Sequence, residues 1–198
     1  MESYHDIRKV IDGRCAVDKF QLLVMYELLL EVAQLEGCGV ELGVFRGGTA
    51  RMIASVLSPK TIYLYDTFEG TPDVKTIHDE LRPHKKGSFF GSIDEVQELL
   101  APYSDKIVYN QGVFPDDMLY KLPDEPVCFA HVDADLYTPT LSFLNLIYPM
   151  VVSGGVIVIH DYRYGPCVGV TKACNRFLVN KPEKIRMDIP GQGYIRKI

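Results

Sequence analysis

Tryptophan is absent, no two cysteines form a Cys-x-x-Cys pair, no apolar run approaches membrane-spanning length, and positive charge is not in excess. Each absence excludes a class of function. Cys15, Cys38, Cys128, Cys167 and Cys174 are scattered and odd in number, which argues against zinc or redox work and leaves free, mostly buried thiols as the expectation. The formal charge of −5 gives no general attraction to phosphate backbones, and the basic cluster of Arg82, Lys85 and Lys86 is short. No nucleic-acid partner is expected. Glu2, Asp6, Arg8 and Lys9 stand near the start with no apolar stretch between them, so neither a secretory signal nor a membrane span is read there. The expectation is a cytoplasmic protein with no membrane partner.

What is present has the balance of a soluble α/β protein: 198 residues, 47% apolar and 24% charged, enough for one domain over residues 1–198 and too few for two. Within an N-terminal helical segment, residues 1–36, the positions Val17, Phe20, Val24, Leu28 and Val32 recur about once per helical turn. They predict an amphipathic helix over 17–35 that Gly37 ends. Strand-like and helix-like segments then alternate: strand 38–43, helix 47–57, strand 61–66, helix 92–101, strand 106–110, a short helix near 115–121, and strand 127–133. A helix over 138–148, ended with help from Pro149, leads to the apolar strand 154–161, and a helix over 168–178 follows. Strands separated by helices imply a mostly parallel sheet. The tail, 184–188 and 194–197 around Pro190-Gly191-Gln192-Gly193, predicts two strands joined by a turn, giving an antiparallel C-terminal edge to a seven-stranded sheet. Residues 70–91, rich in Pro, His and Lys, are long for a connection and predict a lid or substrate-binding loop.

Ligands of open α/β sheets bind outside the carboxyl ends of the strands, and those ends are acidic here. Glu41 lies near the end of the first strand, Asp66 ends the second, Asp133 and Asp135 follow the fourth, and His160-Asp161 end the fifth. Buried strand ends do not gather unpaired charge without a cation or ligand. Asp133 and Asp161 could instead be turn or helix-cap carboxylates, and His160 a core histidine satisfied by hydrogen bonds. Asp135 suits a supporting role or a cap for the helix beginning near Thr138. The turn from Glu41 to Thr49 carries glycines that allow close backbone approach to a ligand. A nicotinamide cofactor is one reading, because Asp66 is suitably spaced to hold a ribose. Phe45 opposes it by replacing the middle glycine of the dinucleotide fingerprint, and no Tyr-x-x-x-Lys pair is evident. A nucleoside without a pyrophosphate is not obstructed in that way.

Four ordered motifs, Glu41–Thr49, Tyr65-Asp66-Thr67-Phe68-Glu69-Gly70, Val132-Asp133-Ala134-Asp135-Leu136-Tyr137 and Gly154–Tyr162, together with Gly87-Ser88-Phe89, Ser92 and the ending Gly193–Lys197, resemble the macrocin O-methyltransferase (TylF-like) family over almost the whole chain. The resemblance implies a Rossmann-like methyltransferase fold with helices on both faces of the sheet, S-adenosyl-L-methionine across the first strands, and magnesium at the ends of the fourth and fifth. It places Glu41, Gly43 and Thr49 near the methionine part, Asp66 at the ribose, Thr67, Phe68, Gly112 and Val113 around the adenosine, and Ser92 close to it, with Phe45 also among the cofactor-binding residues. Asp133, His160 and Asp161 fall at the metal ligands. The family commonly has two adjacent carboxylates where this chain has His160-Asp161; imidazole suits manganese, iron, nickel or zinc better than magnesium, so manganese stays open beside magnesium.

The implied activity is O-methylation of a small-molecule hydroxyl, on family precedent a sugar diol of a natural product. Asp133 is the candidate proton acceptor, with His78, His84 and His131 as weaker alternatives. Tyr4, Tyr137, Tyr162 and Tyr164 are candidate rim groups. Family analogy adds a homodimer through the N-terminal helix. A nicotinamide-dependent oxidoreductase and a non-catalytic nucleoside-binding protein are the rival classes.

Overall fold

The computed structural model describes residues 2–73, 76–79, 85–117 and 122–198. Among the described residues seven strands form one sheet: β1 (Cys38–Leu42), β2 (Ile62–Asp66), β3 (Ile107–Gln111), β4 (Val127–Val132), β5 (Val151–Tyr162), β6 (Arg186–Ile189) and β7 (Gly191–Arg196). Their order is β3-β2-β1-β4-β5-β7-β6. The pairs from β3 to β5 are parallel, and β7 runs antiparallel to both of its neighbours. The helices are α1 (Tyr4–Val10), α2 (Lys19–Val32), α3 (Gly48–Leu57), α4 (Ile93–Leu99), α5 (Tyr137–Ile147) and α6 (Val168–Phe177). All seven expected strands are present.

Period-two alternation assigns each strand residue to a face. Val156 and Val158 of β5 pack with Leu22, Met25 and Leu29 of α2 and Ile53 of α3, while Ile157 and Ile159 pack with Phe143 of α5 and Val170 of α6. Helices therefore cover both faces, and the inner strands are apolar on both sides, as parallel sheets require. Asp18 begins α2: its side chain accepts the N–H of Phe20, and the Gln21 side chain accepts the N–H of Asp18. This reciprocal cap starts the helix at residue 19 rather than 17.

Several boundaries differ from expectation for local reasons. The short helix near 115–121 is, in its described part, a turn over 114–117; the remainder lies outside the described residues. β5 begins three residues early, because Val151 pairs with Val127 before a register irregularity. The C-terminal turn is confined to Pro190, since Gly191 to Gly193 pair with Tyr162 to Ile159 and so belong to β7. Helix α1 carries no long periodic pattern. It is held by Glu2, whose carboxylate accepts from Arg51 at 2.8 and 3.1 Å, from Ser55 at 2.5 Å and from Tyr103 at 2.9 Å. These bonds bring the Glu2 pKa down to about 2. All five cysteines are free, with Cys15 half-buried and the others buried. Among the described residues no helix is long and apolar enough to cross a membrane.

Candidate active site

The chain runs outward from β1 to β3 and then crosses back to β4, so the sheet's topological switch lies between the carboxyl ends of β1 and β4, where open α/β sheets bind ligands. Gly43 sits at this point with φ +86°, and a Cβ there would lie 1.8 Å from the Asp133 carbonyl oxygen. The crossing needs a glycine both for its left-handed backbone and for the absent side chain. Beside it, Asp66 Oδ2 accepts the N–H groups of Val44 at 2.6 Å and Phe45 at 3.1 Å, and Oδ1 accepts that of Phe68 at 2.7 Å and the Thr67 hydroxyl at 3.3 Å. Asp66 thus ties the β1–α3 turn to the segment after β2.

A cavity of about 570 Å³ opens over this point, bordered by Gly43, Phe45, Asp66, Thr67 and Gly112 on the β1–β3 side and by Asp133, His160 and Asp161 on the other. Five aspartates, Asp18, Asp66, Asp133, Asp135 and Asp161, line it against His160 and Arg163. A cavity so biased favours cationic ligands. Phe45, Asp135, Asp161 and Arg163 all have φ between 52° and 61°. Such left-handed side-chain-bearing residues persist where the surroundings over-determine them, commonly at ligand sites.

At the β4 and β5 ends, His160 Nδ1 lies 3.1 Å from Asp133 Oδ1 and 3.4 Å from Asp161 Oδ1, while its Nε2 lies 3.1 Å from Oε1 of Gln21. One ligand atom from each of Asp133, His160 and Asp161 falls within 4.8 Å of the others. Burial favours the neutral ring, but Asp133 and then Asp161 outweigh it and hold the His160 pKa well above the ordinary value. Asp135 is driven upward, first by burial and then by the Asp133 charge. Burial raises Asp161 too, yet hydrogen bonding and charge from His160 bring it below its ordinary value. Two carboxylates and an imidazole nitrogen, close together and partly open to the cavity, suit a divalent cation of a kind that accepts nitrogen.

The remaining expected residues divide. Glu41 lies one residue before the strand end, so alternation turns it beneath the sheet. It is fully buried and meets His131 Nδ1 at 2.8 Å, a partner fixed by the β1–β4 register. Burial raises the Glu41 pKa, with His131 opposing. Thr49 is buried in α3, Phe68 packs in the core near Tyr109, Ser92 caps α4 by accepting the N–H of Glu95, and the Val113 N–H is donated to Asp117. None of these five borders the cavity. Asp135 borders it and does not cap α5, whose first turn has no side-chain cap. Of the four tyrosines expected at the rim, Tyr164 alone borders the cavity; Tyr4 packs on Tyr26, and Tyr137 stacks on His78. His84 and part of the 70–91 loop lie outside the described residues, whereas Gly70, Thr71, Pro72 and Phe89 of that loop line the cavity. Sequence reasoning missed Gln21. Its position three residues after Asp18 signals a helix cap, but nothing local shows that β5 brings His160 against it.

A mostly parallel sheet reversing between β1 and β4, helices on both faces and an acidic cavity over the switch define the Rossmann-like methyltransferase fold. Residues 13–190 match the macrocin-O-methyltransferase (TylF) family, and the chain belongs to it. The demethyldecarbamoylnovobiocin O-methyltransferase of Streptomyces niveus is 29% identical over 140 residues, 64% of this chain and 53% of that protein. A Streptomyces olivaceus tetracenomycin-C 4'-O-methyltransferase, acting by its name on a dimethoxy-rhamnosyl compound, is 28% identical over 141 residues, 65% of this chain and 54% of that protein. The chain thus spans about half the length of the curated relatives it matches. The solved O-methyltransferase NovP superposes with a TM-score of 0.82 at 23% identity, over 93% of this chain and 82% of that one. A calicheamicin methyltransferase superposes at 0.76 with 21% identity, over 98% and 90%. These structural likenesses establish the fold.

Proposed function

We propose that the chain is an S-adenosyl-L-methionine-dependent O-methyltransferase, assisted by a divalent cation, that acts on a hydroxyl of a small molecule such as a sugar diol. The observation that carries the reading is the single cavity joining the Gly43–Asp66 crevice to the Asp133–His160–Asp161 cluster. In this reading Gly43, Phe45, Asp66 and Gly112, which line the cavity, would hold the sulfonium nucleoside, with Asp66 at its ribose. The excess of carboxylates around the cavity attracts its positive charge. A nicotinamide dinucleotide fits less well, because Phe45 occupies the turn where a pyrophosphate needs close backbone approach.

Methyl transfer is an in-line displacement at carbon: the acceptor oxygen forms a bond to the methyl group as the carbon–sulfur bond breaks, and S-adenosylhomocysteine leaves. Rate therefore depends on alignment and on ionising the hydroxyl. Asp133 lies at the switch point, against Gly43, and lines the cavity, and we assign it as acceptor of the hydroxyl proton. Asp133, His160 and Asp161 would hold a divalent cation, whose Lewis acidity would favour the ionised acceptor. Arg163, Tyr164 and the described part of the 70–91 loop border the mouth and would contact the acceptor.

The test is S-adenosylhomocysteine release from the purified chain with panels of sugar diols and catechols, with and without chelator. Acceptor-dependent release that Asp133→Ala abolishes, while calorimetric adenosylmethionine binding persists, is expected. Absence of adenosylmethionine binding to the folded wild-type chain overturns the assignment.

A further inference from the structure

The hydrogen-bond chain behind His160 determines which of its ring nitrogens faces the cluster. The Gln21 side-chain amide could in principle turn either end toward the ring. Its surroundings permit one orientation. Gln21 Nε2 is 2.9 Å from the Pro190 carbonyl, which only accepts, and Gln21 Oε1 is 3.3 Å from the Asp18 N–H, which only donates. Reversing the amide would set carbonyl against carbonyl and N–H against N–H. The oxygen therefore faces His160 Nε2 at 3.1 Å, and Nε2 must carry a hydrogen to complete the bond. A cation entering the cluster would displace the Nδ1 proton, leaving the Nδ1 lone pair between Asp133 Oδ1 and Asp161 Oδ1.

Gln21 is itself held firmly. It is 9% exposed, sits in the cap of α2 and accepts at its backbone carbonyl from Gln192 Nε2 at 3.0 Å. The α2 cap and the turn into β7 thus support one nitrogen donor from both sides. A ligand histidine with its other nitrogen fixed in this way is the arrangement that metal sites use to set tautomer and ring direction.

Building on the metal-assisted reading above, we infer that Gln21 is the positioning residue that presents His160 Nδ1 to the cluster, giving a nitrogen-containing donor set that prefers first-row transition cations such as manganese over magnesium. Magnesium keeps to oxygen ligands in near-octahedral geometry and dehydrates reluctantly, whereas manganese begins the first-row series in which affinity for nitrogen-containing sites rises toward the later cations. The preference follows from this chain's own residues: His160 supplies the nitrogen, and Gln21 supplies its orientation.

The test uses the full chain and the ions Mn²⁺ and Mg²⁺ alone, without substrate. Calorimetry gives the affinity ratio of the two ions for wild type, His160→Asp, Gln21→Leu and Gln21→Glu, and pulsed electron paramagnetic resonance of the Mn²⁺-loaded proteins reads the imidazole ¹⁴N coupling. Wild type is expected to show that coupling. His160→Asp should lose it and lower the Mn²⁺/Mg²⁺ ratio at least tenfold. Gln21→Leu should weaken Mn²⁺ binding by about 10- to 100-fold, the range for outer-sphere partners. Gln21→Glu, which keeps an oxygen against Nε2 but loses the donor to the Pro190 carbonyl, should restore part of both signals. Circular dichroism verifies that each variant is folded, and a misfolded Gln21→Leu leaves the Gln21→Glu and His160→Asp comparisons decisive. Bound Mn²⁺ without ¹⁴N coupling, an unchanged ratio in His160→Asp, or equal Mn²⁺ binding in folded Gln21→Leu overturns the inference. No binding of either ion to wild type overturns it and the metal part of the reading together, while chelator-insensitive S-adenosylhomocysteine release would leave the methyltransferase reading standing.

Discussion

Replacing Gly43 by alanine separates backbone strain from steric collision at the heart of the site. The added Cβ would lie 1.8 Å from the Asp133 carbonyl oxygen and 2.8 Å from its carbon. Those atoms are backbone, so no side-chain rotation relieves the overlap. Relief requires parting the ends of β1 and β4, which are joined there by the Asp133 N–H to Leu42 carbonyl bond of 2.8 Å. The left-handed backbone alone costs an alanine about 1–2 kcal/mol. Loss of the strand-end bond and disturbed packing bring the total to about 3–4 kcal/mol, within the range of the larger core lesions. Gly13 is the matching control, with φ +69° and nothing within 4 Å of an added Cβ. For a chain of this length, about 1 kcal/mol shifts the melting temperature by roughly 2–4 °C. Calorimetric melting should therefore fall by about 2–8 °C in Gly13→Ala and by about 6–16 °C in Gly43→Ala, with Gly43→Ala the lower of the two. Because Asp133 moves with the β4 end, Mn²⁺ binding should also weaken in Gly43→Ala alone. Equal melting temperatures for the two variants would refute the steric argument.

Other outcomes follow from particular contacts. Glu2 is shifted from an ordinary 4.5 to about 2 in the folded chain, so its stabilising effect is present above pH 4.5 and is lost as pH falls through 2. Its side chain is 35% exposed, which screens the effect to about 1 kcal/mol; denaturant titrations between about pH 2 and pH 5 should show that slope in wild type and not in Glu2→Gln. Glu41→Leu strands the buried His131 and should cost about 3 kcal/mol or more, whereas Glu41→Leu with His131→Leu should cost clearly less in a double-mutant cycle by chemical denaturation. Asp66→Asn places an amide nitrogen against at least one backbone N–H that now donates to the carboxylate. Adenosylmethionine affinity by calorimetry should fall at least about tenfold, equivalent to about 1.4 kcal/mol, and unchanged affinity would remove Asp66 from the cofactor site.

The fold was legible because its signals are local and repeated. Apolar strands end in carboxylates, helices stand between them, and the Pro190-Gly191 turn announces the antiparallel return. The convergence of Asp66, Asp133, His160 and Asp161 was legible for the same reason, since each stands at or within two residues of the end of a strand and a parallel sheet gathers such ends on one edge. Glu41 shows the limit of that argument. Proximity to a strand end does not decide the face, and alternation buries it against His131, a pairing that depends on the β1–β4 register. Phe68, Ser92 and Val113 carry family motifs while their side chains or N–H groups serve core packing, a helix cap and a turn. Gln21 was invisible as a site residue because its contact with His160 spans 139 positions of sequence.

A crystal structure of the chain soaked with S-adenosylhomocysteine and Mn²⁺ tests the central claim most directly. The account predicts nucleoside density over Gly43 with its ribose at Asp66, and an anomalous manganese peak bonded to Asp133, His160 Nδ1 and Asp161 in the same cavity. Nucleoside density away from the β1–β4 switch, or manganese held by other residues, would contradict it.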